Sequence, residues 1–397
     1  MLWTNRIKAI VLGIGLGLAL YTSSNWWNIF IDRVPQCSQP NCVADFVMLY
    51  AEGTLIWGDW PSLYDLDKQL AYQKKIVRTE QVLPFPYPPI TALLIAPLAL
   101  LSFSNAFLAM TVLNVVLLAA SLRLLIRNLS LSRDQSQWLV LCALCNFGVH
   151  AAVFYGQTSA IILFFLTCHV LAQKRSSEYK AGLWAALLCV KPQFLPIPHL
   201  DLLLRHRWRG LLVGALTSAA LIVGPFIIIG AETSKQYFLL AQRMATADND
   251  WWNQWHGMHN LRALTTYWLP VNSRFYVWWA GCVLVITTMI WSNLRARRGP
   301  NGFAVSWIIN VLALLIVIPH LFTHDLSLLV LPCALLISLF KQSVPLSVGL
   351  GLVVLALLPA LNYAFPMIMA VTLVILFTVS LTLGAARSAR RRLDKES

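Results

Sequence analysis

The chain has 397 residues, 58% of them hydrophobic and only 12% charged, with a mean hydropathy of +0.67. These values exclude a water-soluble globule and imply an all-α polytopic membrane protein. A net charge of +14 with a pI near 9.6 raises nucleic acid as a partner, an idea that the distribution of the charges decides.

The first apolar segment, residues 7–21, follows Arg6 and holds Lys8 at its edge. No small-residue cleavage site comes after it, only Ser23, Ser24, Asn25 and Trp26. The expectation is an uncleaved anchor with the N-terminus in the cytoplasm. Residues 24–89 then form a long polar loop that carries Asp45, Glu52, Asp59, Asp65, Asp67 and Glu80 among several aromatic residues. Residues 90–101 are apolar but too short for a bilayer that needs roughly 20 residues, so they are expected to be re-entrant or interfacial.

Further apolar stretches cover 105–126, 138–155, 159–172, 211–229, 275–293, 303–318, 326–340, 346–358 and 363–383. Two half-length pieces, 181–190 and 194–204, are separated by Lys191, Pro192 and Gln193. Proline cannot continue a helical ladder, and a helix broken at membrane depth is tolerated where it is buried in protein or lines a polar cavity. Lys191 is therefore expected to face a site, against the alternative of snorkelling to the surface. Ten full crossings, or twelve with the broken hairpin, place both termini in the cytoplasm and leave one membrane domain over 1–397 with a basic cytoplasmic tail at 385–397. Three polar passages then share the extracytoplasmic face: 24–89, a second loop at 230–274, and the short turn 319–325.

With this topology, twenty of the thirty Lys and Arg residues lie on the cytoplasmic side with five acidic residues. That asymmetry is the positive-inside pattern of a protein in a bacterial-type cytoplasmic membrane, and it leaves nucleic acid without support. Six cysteines fall within apolar spans as small core residues. Cys37 and Cys42 stand in the first extracytoplasmic loop, where a disulfide between them is one of two open readings.

Several residues are candidates for chemistry. Asp45, followed by Phe46, opens a helical run at the junction of apolar chain and water; it is either an N-cap or a base. In the second loop His256, His259 and Arg262 recur every three residues, which on a helix gives one cationic strip suited to a phosphate or sugar. Trp251, Trp252 and Trp255 beside them also fit an interfacial aromatic belt. His256 and His259 without a third ligand make a weak zinc signal, so no metal site is assigned and a divalent metal is left open. His320, His324 and Asp325 begin an apolar span, either as solvated helix-end groups or in a cavity shared with Asp45. No phosphate-binding loop, dinucleotide fingerprint or G-x-S-x-G elbow is present, so no cofactor is visible.

These passages together resemble glycosyltransferase family 87, membrane enzymes of the GT-C superfamily. The resemblance rests on Asp45-Phe46 with Tyr50 and Gly53, on Leu63-Tyr64-Asp65, and on the F-P-Y-P-P run containing Tyr87. It continues through Gly156-Gln157, Lys191-Pro192-Gln193, and the H-L-F-T-H-D-L run from His320 to Leu326. The tyrosine at 50 stands one place farther from the aspartate than the family's D-F-x-x-Y has it. The resemblance implies a GT-C bundle of about 10–12 transmembrane helices with a long first extracytoplasmic loop. It also implies transfer of mannose or a related sugar from a polyprenyl-phosphate donor to a lipid or glycan acceptor, with Asp45 as catalytic base. Lys191, Arg262, His256, His259, His320 and His324 are then expected at the donor phosphate or sugar. Phe46, Tyr50, Tyr64, Tyr87, Gln157, Gln193 and Asp325 are expected to line the pocket. Two rival classes are a secondary transporter or lipid-carrier flippase, for which a broken helix and a buried cation are also building blocks, and a non-catalytic partner in envelope assembly.

Overall fold

A computed structural model describes residues 2–27, 44–77, 79, 82–246, 257–296, 301–361 and 368–381. Cys37, Cys42, Trp251, Trp252, Trp255, His256 and the basic tail lie outside the described residues.

Helix α1 (Leu2–Trp27) carries the first apolar segment. The first polar loop is itself helical, with α2 (Ala44–Gly58), α3 (Leu66–Lys74) and α4 (Pro89–Ile95). Asp65 caps α3, accepting from the backbone N–H groups of Asp67 and Lys68 at 2.9 and 3.1 Å. Two buried glutamines then tie the irregular chain before α4 to this helix. Gln69 donates to the Leu63 carbonyl and accepts from Phe85 N–H, while Gln73 exchanges both bonds with the backbone of Leu83. Buried side-chain amides thus satisfy backbone groups that have no ladder of their own, which makes the loop a built lobe.

Helix α5 (Phe103–Asn128) is followed by α6 (Arg133–Leu144) and α7 (Phe147–Phe154). The last two divide the apolar stretch 138–155 and are bent by 52°. A capping box between Ser132 and Gln135 starts α6, and Asn146 starts a new helix within the stretch by accepting from Val149 N–H at 3.1 Å. A polar cap in the middle of an apolar run is what breaks it.

Gly156, at φ +60°, makes the turn into α8 (Ser159–Lys174). Helices α9 (Glu178–Ala186) and α10 (Pro196–Leu204) flank the break at Lys191, with 3-10 turns at Leu187–Val190 and Pro192–Phe194. Next come α11 (Trp208–Ile229), α12 (Ala231–Thr246), α13 (Leu261–Trp268), α14 (Val271–Ala296) and α15 (Gly302–Val317). A 3-10 segment, Thr323–Leu329, runs into α16 (Val330–Ile337), and α17 (Leu346–Leu357) and α18 (Ile368–Leu381) follow.

Among the described residues α1, α5, α11 and α14 are long and apolar enough to cross a membrane unaided, and the bent α6–α7 pair is a fifth candidate. Helices α8, α15, α17, α18 and the Thr323–Ile337 unit are apolar but shorter. Within the described residues all ten apolar stretches read from the sequence are therefore helical, and the protein is an all-α integral membrane protein. Four of them are each carried by one helix of membrane-crossing length, and the 138–155 stretch is divided by the cap at Asn146.

The interior falls into two apolar clusters. The larger is built mostly from the chain after α5, with Val11 of α1 and Leu125 of α5, around Trp138, Trp307, Leu315 and Leu331. The smaller gathers the first-loop lobe, α5 and α12, around Phe46, Phe85, Phe107 and Leu240. Asp45 belongs to the lobe of the smaller cluster, whereas Lys191 and Asp325 border the larger through Val190, Phe194 and Leu326. The candidate site lies on the seam.

Candidate active site

Asp45 is in the first turn of α2, inside the helix rather than at its cap. Its side chain keeps 26% of its surface exposed, and Oδ2 is 3.8 Å from His324 Nδ1. On the other edge of that ring, His324 Nε2 is 3.5 Å from Asp325 Oδ2. The imidazole thus stands between two carboxylates 280 positions apart in the chain.

Asp325 is the hub of a buried polar group. Lys191 Nζ donates to Asp325 Oδ1 at 2.8 Å, Ser159 Oγ donates to the same oxygen at 2.7 Å, and Lys191 Nζ reaches Ser159 Oγ at 3.3 Å. The lysine and aspartate side chains are only 1% and 2% exposed. Lys191 does not snorkel; its charge is held inside the protein, where a paired carboxylate and a second acceptor offset the loss of water. The helical break explains how it gets there. Lys191 stands at φ −127° and ψ 89°, outside helical values, between two 3-10 turns, and the preceding carbonyl, on Val190, accepts from Thr91 Oγ1 of α4 at 2.7 Å.

Tyr87 closes the group from the lobe side, with the Lys191 ammonium 5.8 Å from its ring centre and the Gln157 side chain near its hydroxyl. Burial pushes that hydroxyl up, against the pull of Lys191, so Tyr87 faces the ion pair as a neutral phenol. The backbone of Tyr87 is fixed by Tyr64, whose hydroxyl donates to the Tyr87 carbonyl at 2.8 Å.

Arg262 and His320 form a neighbouring pair: Arg262 Nη1 donates to His320 Nε2 at 3.1 Å, and the guanidinium also lies over the Trp278 ring. Burial, reinforced by the Arg262 charge, lowers the His320 imidazole to about 3, so it accepts as a neutral ring. His259 Nε2 is 2.9 Å from Thr323 Oγ1, and the His259 N–H donates to the Leu321 carbonyl. Asn260 caps α13 and donates to the Ile318 carbonyl, and an isolated bridge joins Met258 to Phe322. The end of the second polar loop is thereby strapped to the 318–325 segment. His320, Phe322 and His324 follow one another with ring centres 6.5 and 6.0 Å apart, a row of rings that runs from the Arg262 side to the histidine beside Asp45.

Of the residues expected from sequence, the fold brings Asp45, His324, Asp325, Lys191, Tyr87 and Gln157 together, with Arg262, His259 and His320 next to them. Phe46 is fully buried against Tyr50, Phe103 and Phe107 and supports α2 from beneath. Tyr50 turns away to donate to the Leu101 carbonyl at 2.7 Å, Tyr64 acts through backbone, and Gln193 is half-buried in the break. Ser159 was not foreseen; its signal is a hydroxyl at the first position of an apolar helix, two residues after Gln157. Glu52 was not singled out either. It is fully buried with neither oxygen partnered among the described residues, and burial holds its carboxyl well above the usual range, as a neutral acid. No group of three or more His, Cys, Asp or Glu side chains among the described residues is placed to hold a metal ion.

The chain is 28% identical over 291 residues to the polyprenol-phosphate-mannose-dependent alpha-(1-2)-phosphatidylinositol mannoside mannosyltransferase of Mycobacterium tuberculosis. That match covers 65% of this chain and 62% of the relative. The crystal structure of ArnT from Cupriavidus metallidurans in the apo state superimposes with a TM-score of 0.45 at 14% identity, over 94% of this chain and 75% of the other. The model of glycosyltransferase family 87 matches residues 85–319, which include Tyr87, Gln157, Lys191, His259 and Arg262 and stop short of Asp45 and His324. With more than half of its length matched, the chain belongs to glycosyltransferase family 87.

Proposed function

We propose that the protein transfers a mannosyl group from a polyprenyl-phosphate carrier to a lipid-linked or glycan acceptor. The transfer occurs at the extracytoplasmic face of the cytoplasmic membrane and inverts the anomeric centre. The observation that carries this reading is the part-exposed Asp45 carboxylate beside His324 and the Lys191–Asp325 pair. The family and the donor named for the mycobacterial relative support the donor class, and the positive-inside charge pattern supports the side.

The acceptor hydroxyl gives its proton to Asp45 as its oxygen forms a bond to the sugar's anomeric carbon. The bond from that carbon to the phosphate oxygen breaks, and the carrier leaves as a phosphate monoester. A single carboxylate suffices, because the leaving phosphate is already ionised and needs no proton. It gains negative charge as it departs, so cations are required at that end; Lys191 and Arg262 supply them, with His324 between base and phosphate. Apolar surface along residues 90–101 offers a wall for the polyprenyl tail.

Reconstituted protein supplied with radiolabelled polyprenyl-phosphate mannose tests the reading. A mannosylated product whose anomeric configuration is opposite to that of the donor is expected. A retained configuration would remove the single-base mechanism, and label recovered only as unreacted carrier would favour a transporter, which the broken helix at Lys191 also suits.

A further inference from the structure

A second buried polar group lies away from the candidate site, and nothing in the proposed chemistry uses it. Arg205 Nε donates to both oxygens of Asp201 at 3.0 and 2.8 Å, and Asn310 Nδ2 donates to Asp201 Oδ1 at 3.0 Å. Asn293 Nδ2 in turn donates to Asn310 Oδ1 at 2.6 Å. Asp201, Asn293 and Asn310 are at most 1% exposed. Asp201, counted from sequence among the acidic residues of the cytoplasmic side, is thus an interior residue of α10.

The arrangement is directional. Asn293 of α14 occupies the Asn310 oxygen, which leaves the amide nitrogen of Asn310 facing Asp201; Arg205 holds the Asp201 carboxylate from the far side. A buried ion pair gains little stability over apolar side chains of the same volume, so its best-supported use is to fix one register.

The register concerned is that of two arms leading to the site. One runs from Lys191 through Pro192–Phe194 into α10; the other runs through α15 to the 318–325 segment. These arms are tied twice, by Asp201–Asn310 at one level and by Lys191–Asp325 at the other, ten residues along the first arm and fifteen along the second. If Lys191 turns to a donor phosphate, the tie at the site is released while the remote one remains.

We infer that Asp201, Asn310 and Asn293 are positioning residues. They hold the Lys191 arm and the Asp325 arm in register while the Lys191–Asp325 pair opens to admit an anionic lipid phosphate. This rests on the proposed donor chemistry but concerns residues that touch no substrate.

The test compares Asn310→Leu with the exchange variant Asp201→Asn/Asn310→Asp, which rebuilds the contact with the carboxylate on the opposite arm. Hydrogen exchange at residues 191–195 and 318–325 of the substrate-free, reconstituted protein is measured first. It should quicken in Asn310→Leu and return toward wild type in the exchange variant. In the transfer assay Asn310→Leu should raise the donor KM by about tenfold with kcat changed far less, and the fall in thermal midpoint from the buried groups it leaves unpaired should be recovered together with KM in the exchange variant. Unchanged exchange at both segments overturns the inference whether or not the protein transfers sugar. So does a loss of activity that follows a fall in thermal stability and is not restored by the exchange variant. Wild-type protein that makes no product would remove the donor reading, and the exchange measurement would still decide the register.

Discussion

At the scale of single residues, the sharpest result concerns Lys191. An ammonium in the middle of an apolar hairpin is costly, and its partner is 134 positions away on a segment that sequence alone could place only on the same face. Removing one member of such a pair leaves a buried charge without compensation. Asp325→Ala should therefore destabilise the protein by about 3–5 kcal/mol, read as a fall in thermal midpoint. The double variant Lys191→Met/Asp325→Leu should recover most of that stability, yet bind polyprenyl phosphate more weakly than wild type. Equal donor affinity in the double variant would take Lys191 out of the phosphate role. The lysine and its neighbouring proline were legible because each breaks a rule of membrane helices. Ser159 was not, since a lone hydroxyl at a helix start is ordinary, and its meaning appears only with Asp325 2.7 Å away.

At the scale of elements, the turns decide where the site sits. Gly156 has φ +60°, and a Cβ there would lie 2.8 Å from both Phe46 Cβ and the Phe107 ring. Its freedom lets the α7–α8 turn press against α2 at Phe46, the residue after Asp45. Gly148 does the same for α7 against the Thr323–Leu329 segment, where a Cβ would meet the backbone at 2.6 to 2.8 Å. Gly156→Ala should cost about 1 kcal/mol or more and should lower transfer by shifting Phe46, measurable as a reduced thermal midpoint together with reduced kcat. An unaffected kcat would mean that the turn does not set the position of Asp45. The apolar helices were readable from run lengths, and so was the break at Pro192, whereas α3, α12 and α13 lie in passages that read as polar loops. The break at Asn146 was missed, because a single asparagine within an apolar run reads as a tolerated polar residue until its side chain is seen to cap a new helix.

At the scale of the whole molecule, two apolar clusters meet along a seam, and the polar groups proposed to carry out glycosyl transfer are distributed across it. The lobe brings Asp45 and Tyr87, while the larger core brings Lys191, Ser159, His324 and Asp325. Sequence could nominate most of these residues because charged and polar groups are scarce in so apolar a chain. It could not say which of them meet, since that depends on side chains hundreds of positions apart, nor that Phe46, Tyr50 and Tyr64 serve as supports. The central claim is that Asp45 acts as the base of one composite site. Single-turnover transfer from a polyprenyl-phosphate sugar, measured beside polyprenyl-phosphate binding, tests this directly in wild type and Asp45→Asn. The variant should lose about 10²–10⁴-fold in transfer while binding the carrier as tightly as before; turnover at the wild-type rate would contradict the claim.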